Sequence, residues 1–184
     1  MGSDLAAATA PATPGPEVPL RRGTFELSTT AWLPVPVEHV FPFFGDARNL
    51  NVLTPPWLHF EVLSPHPIAM QPGTLIDYRI RLRGLPIRWR TRIREWQPMH
   101  HFVDEQIRGP YLEWVHTHTF EPVASGTLMV DRVRYRVLGG SLVHTLFVER
   151  DVTRIFRYRL DALRAVFGAG PSMRDRDVTC RRLR

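Results

Sequence analysis

The sequence predicts an α+β domain: a curved antiparallel sheet of seven strands wrapped around a long C-terminal helix. Three observations predict it. Alternating apolar and polar side chains mark strands at Thr24–Leu33, Leu58–Leu63, Leu75–Arg83, Ile87–Trp96, Phe102–Gln106, Trp114–Phe120 and Met129–Val137. The last six of these follow one another through short Gly- and Pro-containing turns, the mark of an antiparallel meander. Finally, Leu142, Leu146, Val152, Phe156, Leu160, Leu163 and Phe167 recur at mostly three- and four-residue steps, an amphipathic helix long enough to cover one sheet face.

The elements in order are these. Residues 1–22 are Ala, Pro, Thr and Gly with little apolar content and read as a disordered leader. The first strand carries Phe25, Leu27, Thr29, Ala31 and Leu33 on one face, and Pro34 and Pro36 end it. Val37–Phe44 reads as a short helix despite Pro42, and Asp46 caps a second that runs to Leu53 before Thr54-Pro55-Pro56 stops it. Pro72-Gly73, Gly84-Leu85-Pro86, Gly109-Pro110 and Ser125-Gly126 separate the meander strands. The fourth strand places Ile87, Trp89, Thr91, Ile93 and Glu95 on one face. Gly168 and Gly170-Pro171 close the long helix. The domain therefore spans 23–168, and 169–184 reads as a frayed basic tail.

Composition narrows the function classes. The 184 residues are 43% apolar, ordinary for one globular domain with a sizeable core. The one cysteine, Cys180, excludes an intramolecular disulfide. No apolar run approaches the roughly 20 residues of a membrane span, and the N-terminus lacks a basic region followed by an apolar stretch. A cytoplasmic location is the expectation. All 24 basic residues are arginine, and the net charge is +6.

The stretch from His101 to Tyr135 holds the functional signal. Side chains two apart on a strand share a face. One face then carries Phe102, Asp104 and Gln106; Trp114, His116, His118 and Phe120; and Met129, Asp131, Val133 and Tyr135. Large aromatics mixed with carboxylates and imidazoles make a poor dry core and a good pocket wall. With Tyr78, Trp89 and Thr91 from the neighbouring strands, the expected ligand-binding residues are Tyr78, Trp89, Thr91, Asp104, Gln106, Trp114, His116, His118, Asp131 and Tyr135.

Element order and motifs resemble the START / Bet v 1-like (SRPBCC) superfamily, in its uncharacterised bacterial ligand-binding branch. The residues that carry the resemblance are Phe102-Val103-Asp104-Glu105-Gln106, Gly109-Pro110-Tyr111, Trp114-Val115-His116, Asn49-Leu50 with Thr54-Pro55-Pro56, and Gly73 with Asp77-Tyr78. The resemblance covers roughly Thr24 to Phe167 and implies the helix-grip fold, with a cavity between sheet and last helix. It also implies a polyketide cyclase-like or coenzyme Q-binding-like protein that takes a hydrophobic small molecule. The short helices, with Phe41, Phe43, Phe44 and Leu50, then sit at the cavity mouth as core or gate.

Three chemistries suit the polar residues. His116 and His118 with Asp104 or Asp131 have metal-ligand spacing, but a satisfied hydrogen-bond network in the cavity wall is the favoured reading. Neither a metal nor a cofactor is expected. The same His116, His118, Asp104 and Asp131 are the candidate catalytic residues if the protein is a cyclase or dehydratase working by acid–base chemistry. No Ser-His-Asp set, phosphate loop or zinc-type cysteine set is present. Arg79, Arg81 and Arg83; Arg88, Arg90, Arg92 and Arg94; and Arg132, Arg134 and Arg136 take the opposite parity and belong to the outer sheet face. That face reads as a solvated surface or as a peripheral contact for an anionic membrane. Nucleic acid is not the expected partner, because no aromatics interleave with these arginines.

Overall fold

The computed structural model describes residues 19–168 and 178–183. Of the expected leader (1–22) and tail (169–184), residues 1–18, 169–177 and 184 lie outside the described residues. The chain runs β1 (Phe25–Leu33), α1 (Val37–Gly45), a 3-10 turn at Ala47–Asn49, and α2 (Leu50–Leu53). Next come β2 (Glu61–Val62), β3 (Leu75–Leu82), β4 (Leu85–Gln97), β5 (His101–Arg108), β6 (Glu113–Val123) and β7 (Gly126–Arg136). The final helix combines α3 (Gly140–Val143), a π-helical turn at His144–Val148 and α4 (Glu149–Phe167), and β8 (Thr179–Arg182) closes the chain. All strands join one sheet in the order β2-β3-β4-β5-β6-β7-β1-β8, with antiparallel pairing throughout.

The α+β helix-grip architecture is the one expected, with eight strands in place of seven. The eighth comes from residues assigned to a frayed tail. Thr179–Arg182 pairs antiparallel with Ser28 to Phe25 on the otherwise open edge of β1. Val178 is buried there, Cys180 packs against the core, and Arg181 donates to Glu26 at 2.6 Å. Four residues are too few to show a period of two, so only pairing with a specific edge reveals this strand.

Two departures from simple periodicity shape the interior. The β4–β5 ladder changes register between Ile93 and Glu95. Strict alternation puts Glu95 inside; the bulge turns Glu95 toward Arg94 and His101 instead. Trp96 takes the inward place, against Phe41 and Phe102. Such bulges also bend and twist a strand, which helps the sheet to wrap. In the long helix, Leu142 and Leu146 are exposed, while Val152, Phe156, Leu160 and Leu163 are buried. The π turn adds a residue to one turn and rotates the apolar stripe, so His144 faces inward where leucines were expected. The expected second strand also shrinks to Glu61–Val62, because Pro56–Leu58 forms a 3-10 turn.

α1 and α4 share one hydrophobic core with the concave face of β1, β6 and β7. A smaller cluster of Ala47, Ile76 and Ile93 lies across the sheet. No helix among the described residues is long and apolar enough to cross a membrane. If β8 is part of this packed sheet, Val178→Asp lowers stability by about 2–4 kcal/mol, read as a lower urea midpoint. An unchanged midpoint contradicts the pairing.

Candidate functional site

Between the concave face and α4 lies a cavity of about 190 Å³. Its walls are mostly aromatic and aliphatic. Trp89 lies parallel to Tyr78 with 5.8 Å between ring centroids, and edge-on to Trp114 at 5.5 Å. Tyr111 packs on Trp114 at 4.6 Å. Helix α4 contributes Val152, Ile155 and Phe156, and the short helices contribute Phe43, Phe44, Leu50 and Leu53. Phe41 is in the core proper, against Phe120 and Trp96.

One charged cluster interrupts this wall. Pairing aligns Asp104 with His116, and His118 with Asp131, so four polar side chains from β5, β6 and β7 converge on the inner face. Asp131 Oδ1 accepts from His116 Nε2 at 3.2 Å and lies 2.7 Å from His118 Nδ1, which also faces an Arg159 terminal nitrogen at 3.5 Å. Its Oδ2 accepts from Arg159 Nε of α4 at 2.8 Å. His118 Nε2 donates to Asp104 Oδ2 at 3.1 Å. Both ring nitrogens of His118 thus face carboxylates, and its ring stacks on Phe102 with 4.1 Å between centroids. Arg159 lies over the Phe44 ring, 5.4 Å from its centre. Asp131, His118, His116 and Arg159 are all buried, and Asp104 is half-buried on the cavity surface.

The electrostatics follow from this packing. Burial alone pushes the Asp131 carboxyl up, but the charge of Arg159 and the two imidazoles hold it well below the usual carboxylate range. Burial works against a charged His118, and Asp131 and Asp104 outweigh it, so its pKa is raised. For His116, burial and the neighbouring His118 charge win, and its pKa is lowered. The cluster thus sets Asp104, Asp131 and Arg159 around two imidazoles whose pKa values are moved in opposite directions by burial and by their neighbours. Burial and the Asp104 charge push the Tyr78 hydroxyl far up, so it stays neutral; it shares a hydrogen bond with Thr91 Oγ1 at 3.0 Å.

Of the residues expected from the sequence, Tyr78, Trp89, Thr91, Asp104, Trp114, His116 and His118 line the cavity. Three do not. Asp131 lies behind the histidines as their common acceptor. Gln106 turns to its own hairpin, donating to Tyr111 O at 2.7 Å and accepting from Tyr111 N. Tyr135 is fully buried, with its hydroxyl 2.9 Å from His144 Nε2 and 3.2 Å from Cys180 Sγ. Arg159 was missed in the sequence reading. Its one available signal is a charged residue one step before Leu160 on the apolar stripe of α4, a place where an unpaired charge is costly. Tyr111 also lines the cavity and was not among the expected wall residues.

Ligand atoms of Asp104, His116 and His118 lie within 4.8 Å of one another, a spacing that one metal ion could share. An ion there would compete with the His118–Asp104 hydrogen bond. On the outer sheet face the arginines meet carboxylates. Arg90 forks onto Asp77 with two bonds of 2.8 Å, Arg79 pairs with Glu61, and Arg92 with Glu105. Arg134 bonds the buried Glu26 at 3.1 Å. Exposed pairs of this kind contribute little to stability, but they lower the charge that this face presents.

Sheet, gripped helix and cavity with one polar cluster define a helix-grip protein built to enclose a small molecule. The chain belongs to the polyketide cyclase / dehydrase and lipid transport family, whose model matches residues 24–168, within the SRPBCC superfamily. No curated protein sequence matches it. Among solved structures, protein CV1439 from Chromobacterium violaceum is similar, at TM-score 0.63 and 16% identity over 79% of this chain and 99% of that one. A protein from Arthrobacter aurescens aligns at TM-score 0.61 and 14% identity, over 76% of this chain and 86% of its own. Ara h 8.0201 aligns at TM-score 0.55 and 16% identity, over 78% of this chain and 99% of its own, and marks the fold as Bet v 1-like. These likenesses carry the fold alone.

The opposite shifts of the two histidines give a direct check. At pH 6.5, the ordinary value for both, imidazole nitrogen shifts in NMR are expected to show His118 mostly doubly protonated and His116 mostly neutral with its proton on Nε2. Two histidines titrating together at 6.5 would contradict the cluster as described.

Proposed function

We propose that the protein binds and carries a hydrophobic small molecule of the lipid, quinone or polyketide kind, in the cavity beneath α4. One observation supports this most: a mostly aromatic and aliphatic cavity wall that holds one buried charged cluster and a few further polar side chains, among them Asp46, Asn49 and Thr91. Pockets that hold apolar ligands are built this way, with few polar groups to orient the guest. A cytoplasmic carrier is the form this reading takes. Peripheral contact with an anionic membrane through the arginine face is part of the proposal, at lower charge density than the sequence implies.

The test is a thermal-shift panel of quinones, fatty acids and polycyclic aromatics. At least one class is expected to raise the melting temperature of the native protein. Trp114→Ala, which opens the wall between Trp89 and Tyr111, is expected to weaken that ligand about ten-fold or more while the protein stays folded. A panel with no shift in any class sinks the carrier reading.

A cyclase or dehydratase activity is the second reading, and the opposite pKa shifts of the two neighbouring imidazoles, His116 lowered and His118 raised, favour it. A neutral imidazole can take a proton from a bound molecule while Asp131 and Asp104 stabilise the charge that forms. In that case His116→Ala abolishes turnover of a bound polyketide and leaves its binding within about three-fold of native. Turnover unchanged in His116→Ala removes His116 from the chemistry.

A further inference from the structure

The hydrogen bonds of the cluster leave one gap, and the gap has a definite polarity. Asp131 accepts from His116 Nε2 and Arg159 Nε, and its Oδ1 lies 2.7 Å from His118 Nδ1, which also faces an Arg159 terminal nitrogen at 3.5 Å. His118 Nε2 donates to Asp104 Oδ2. A carboxylate can only accept, so the His116 proton sits on Nε2, and Nδ1 of a neutral ring carries a bare lone pair. That Nδ1 lies 3.8 Å from Asp104 Oδ2, too far for a hydrogen bond. Two acceptors therefore face each other at the cavity surface with no proton between them. The other oxygen, Asp104 Oδ1, has no hydrogen-bond partner among the described residues. Asp104 and His116 both line the cavity, and neither open atom is sealed from it: Trp89 Nε1 is the one fully buried side-chain nitrogen or oxygen without a partner among the described residues.

We infer that the natural ligand presents a hydroxyl group to this pair, donating its hydrogen to His116 Nδ1 or Asp104, with a compact one- or two-ring apolar body against Trp89, Trp114 and Phe156. The inference rests on the cavity reading above and adds the polar end of the ligand to it. A hydroxyl suits the gap because it supplies the missing proton. An ether or ketone oxygen would add a third acceptor to two that already oppose each other. The rival site for an acceptor oxygen is Arg159, which also lines the cavity. Its Nε is engaged by Asp131, and its guanidinium lies over Phe44. The size of the body follows from the 190 Å³ of space, somewhat more than the roughly 150 Å³ that holds one benzene ring.

Four probes of similar shape test this on the native protein by calorimetry: naphthalene, 2-methoxynaphthalene, 1-tetralone and 2-naphthol. Transfer from water favours naphthalene over the naphthol, so tighter binding of the naphthol reports a hydrogen bond. The expected result is 2-naphthol about ten-fold or more tighter than naphthalene, with the ether and the ketone gaining nothing. In His116→Phe, which keeps a ring in place, the naphthol advantage is expected to shrink while naphthalene binding persists. Naphthalene and the ether matching the naphthol would overturn the hydroxyl and leave the apolar cavity standing. The ketone binding best would also overturn it, by placing recognition on Arg159. Failure of all four probes would sink the cavity reading and this inference together.

Discussion

The structure depends on keeping Asp131 ionised inside the protein. Its side chain is 2% exposed, and a lone carboxylate at that depth costs several kcal/mol. Arg159 of α4 and His118 of β6 remove the cost by supplying charge and hydrogen bonds from two directions. The contact with Arg159 ties the helix to the sheet at one register. With Arg159 on Asp131, Phe156 comes to rest against His116, and Val152, Leu160 and Leu163 are buried along the same stripe. Apolar packing alone specifies a helix position loosely, because a stripe of similar side chains can slide. A buried ion pair with one geometry is more restrictive.

The cavity is the other side of this arrangement. A sheet that wraps a helix leaves space where the two diverge, and here large rings hold that space open. Trp89, Trp114 and Tyr111 brace one another, and Phe102 packs on Trp96, at centroid spacings that aromatic pairs favour. The bulge before Trp96 supplies one more ring to the interior and moves Glu95 out of it. Asp104 and His116 are then the places where a buried polar cluster meets an apolar chamber. A guest can be oriented there without carrying a charge of its own. The opposite face of the sheet follows another rule, with arginine stems over the strands and carboxylates between them.

Much of this was legible in the sequence. A period of two on each strand placed Asp104, His116, His118 and Asp131 on one face, and the structure has them on one face. Turn residues separated the strands, and the helical repeat from Val152 to Leu163 identified the covering element. The errors have physical causes. Glu95 was placed inside because a bulge leaves no mark in an alternating pattern. Leu142 and Leu146 were placed inside because a π turn leaves none in a helical one. Gln106 and Tyr135 have the right parity for the cavity but are drawn away by partners elsewhere: the backbone of Tyr111 in one case, His144 and Cys180 in the other.

Periodicity is a property of neighbours along the chain, so the sequence by itself determined the strands, the faces and the chemical character of the inner wall. It could not determine cross-strand register or the depth at which α4 crosses the sheet, since both depend on contacts between residues far apart. Only the tertiary structure decided that His118 lies between two carboxylates and that Arg159, a helix residue, pairs with Asp131. The same folding step left His116 Nδ1 and Asp104 facing each other across the cavity surface. It also made β8 from a tail with no periodicity to read, because the unpaired edge of β1 offered backbone hydrogen bonds that Thr179–Arg182 could accept and return.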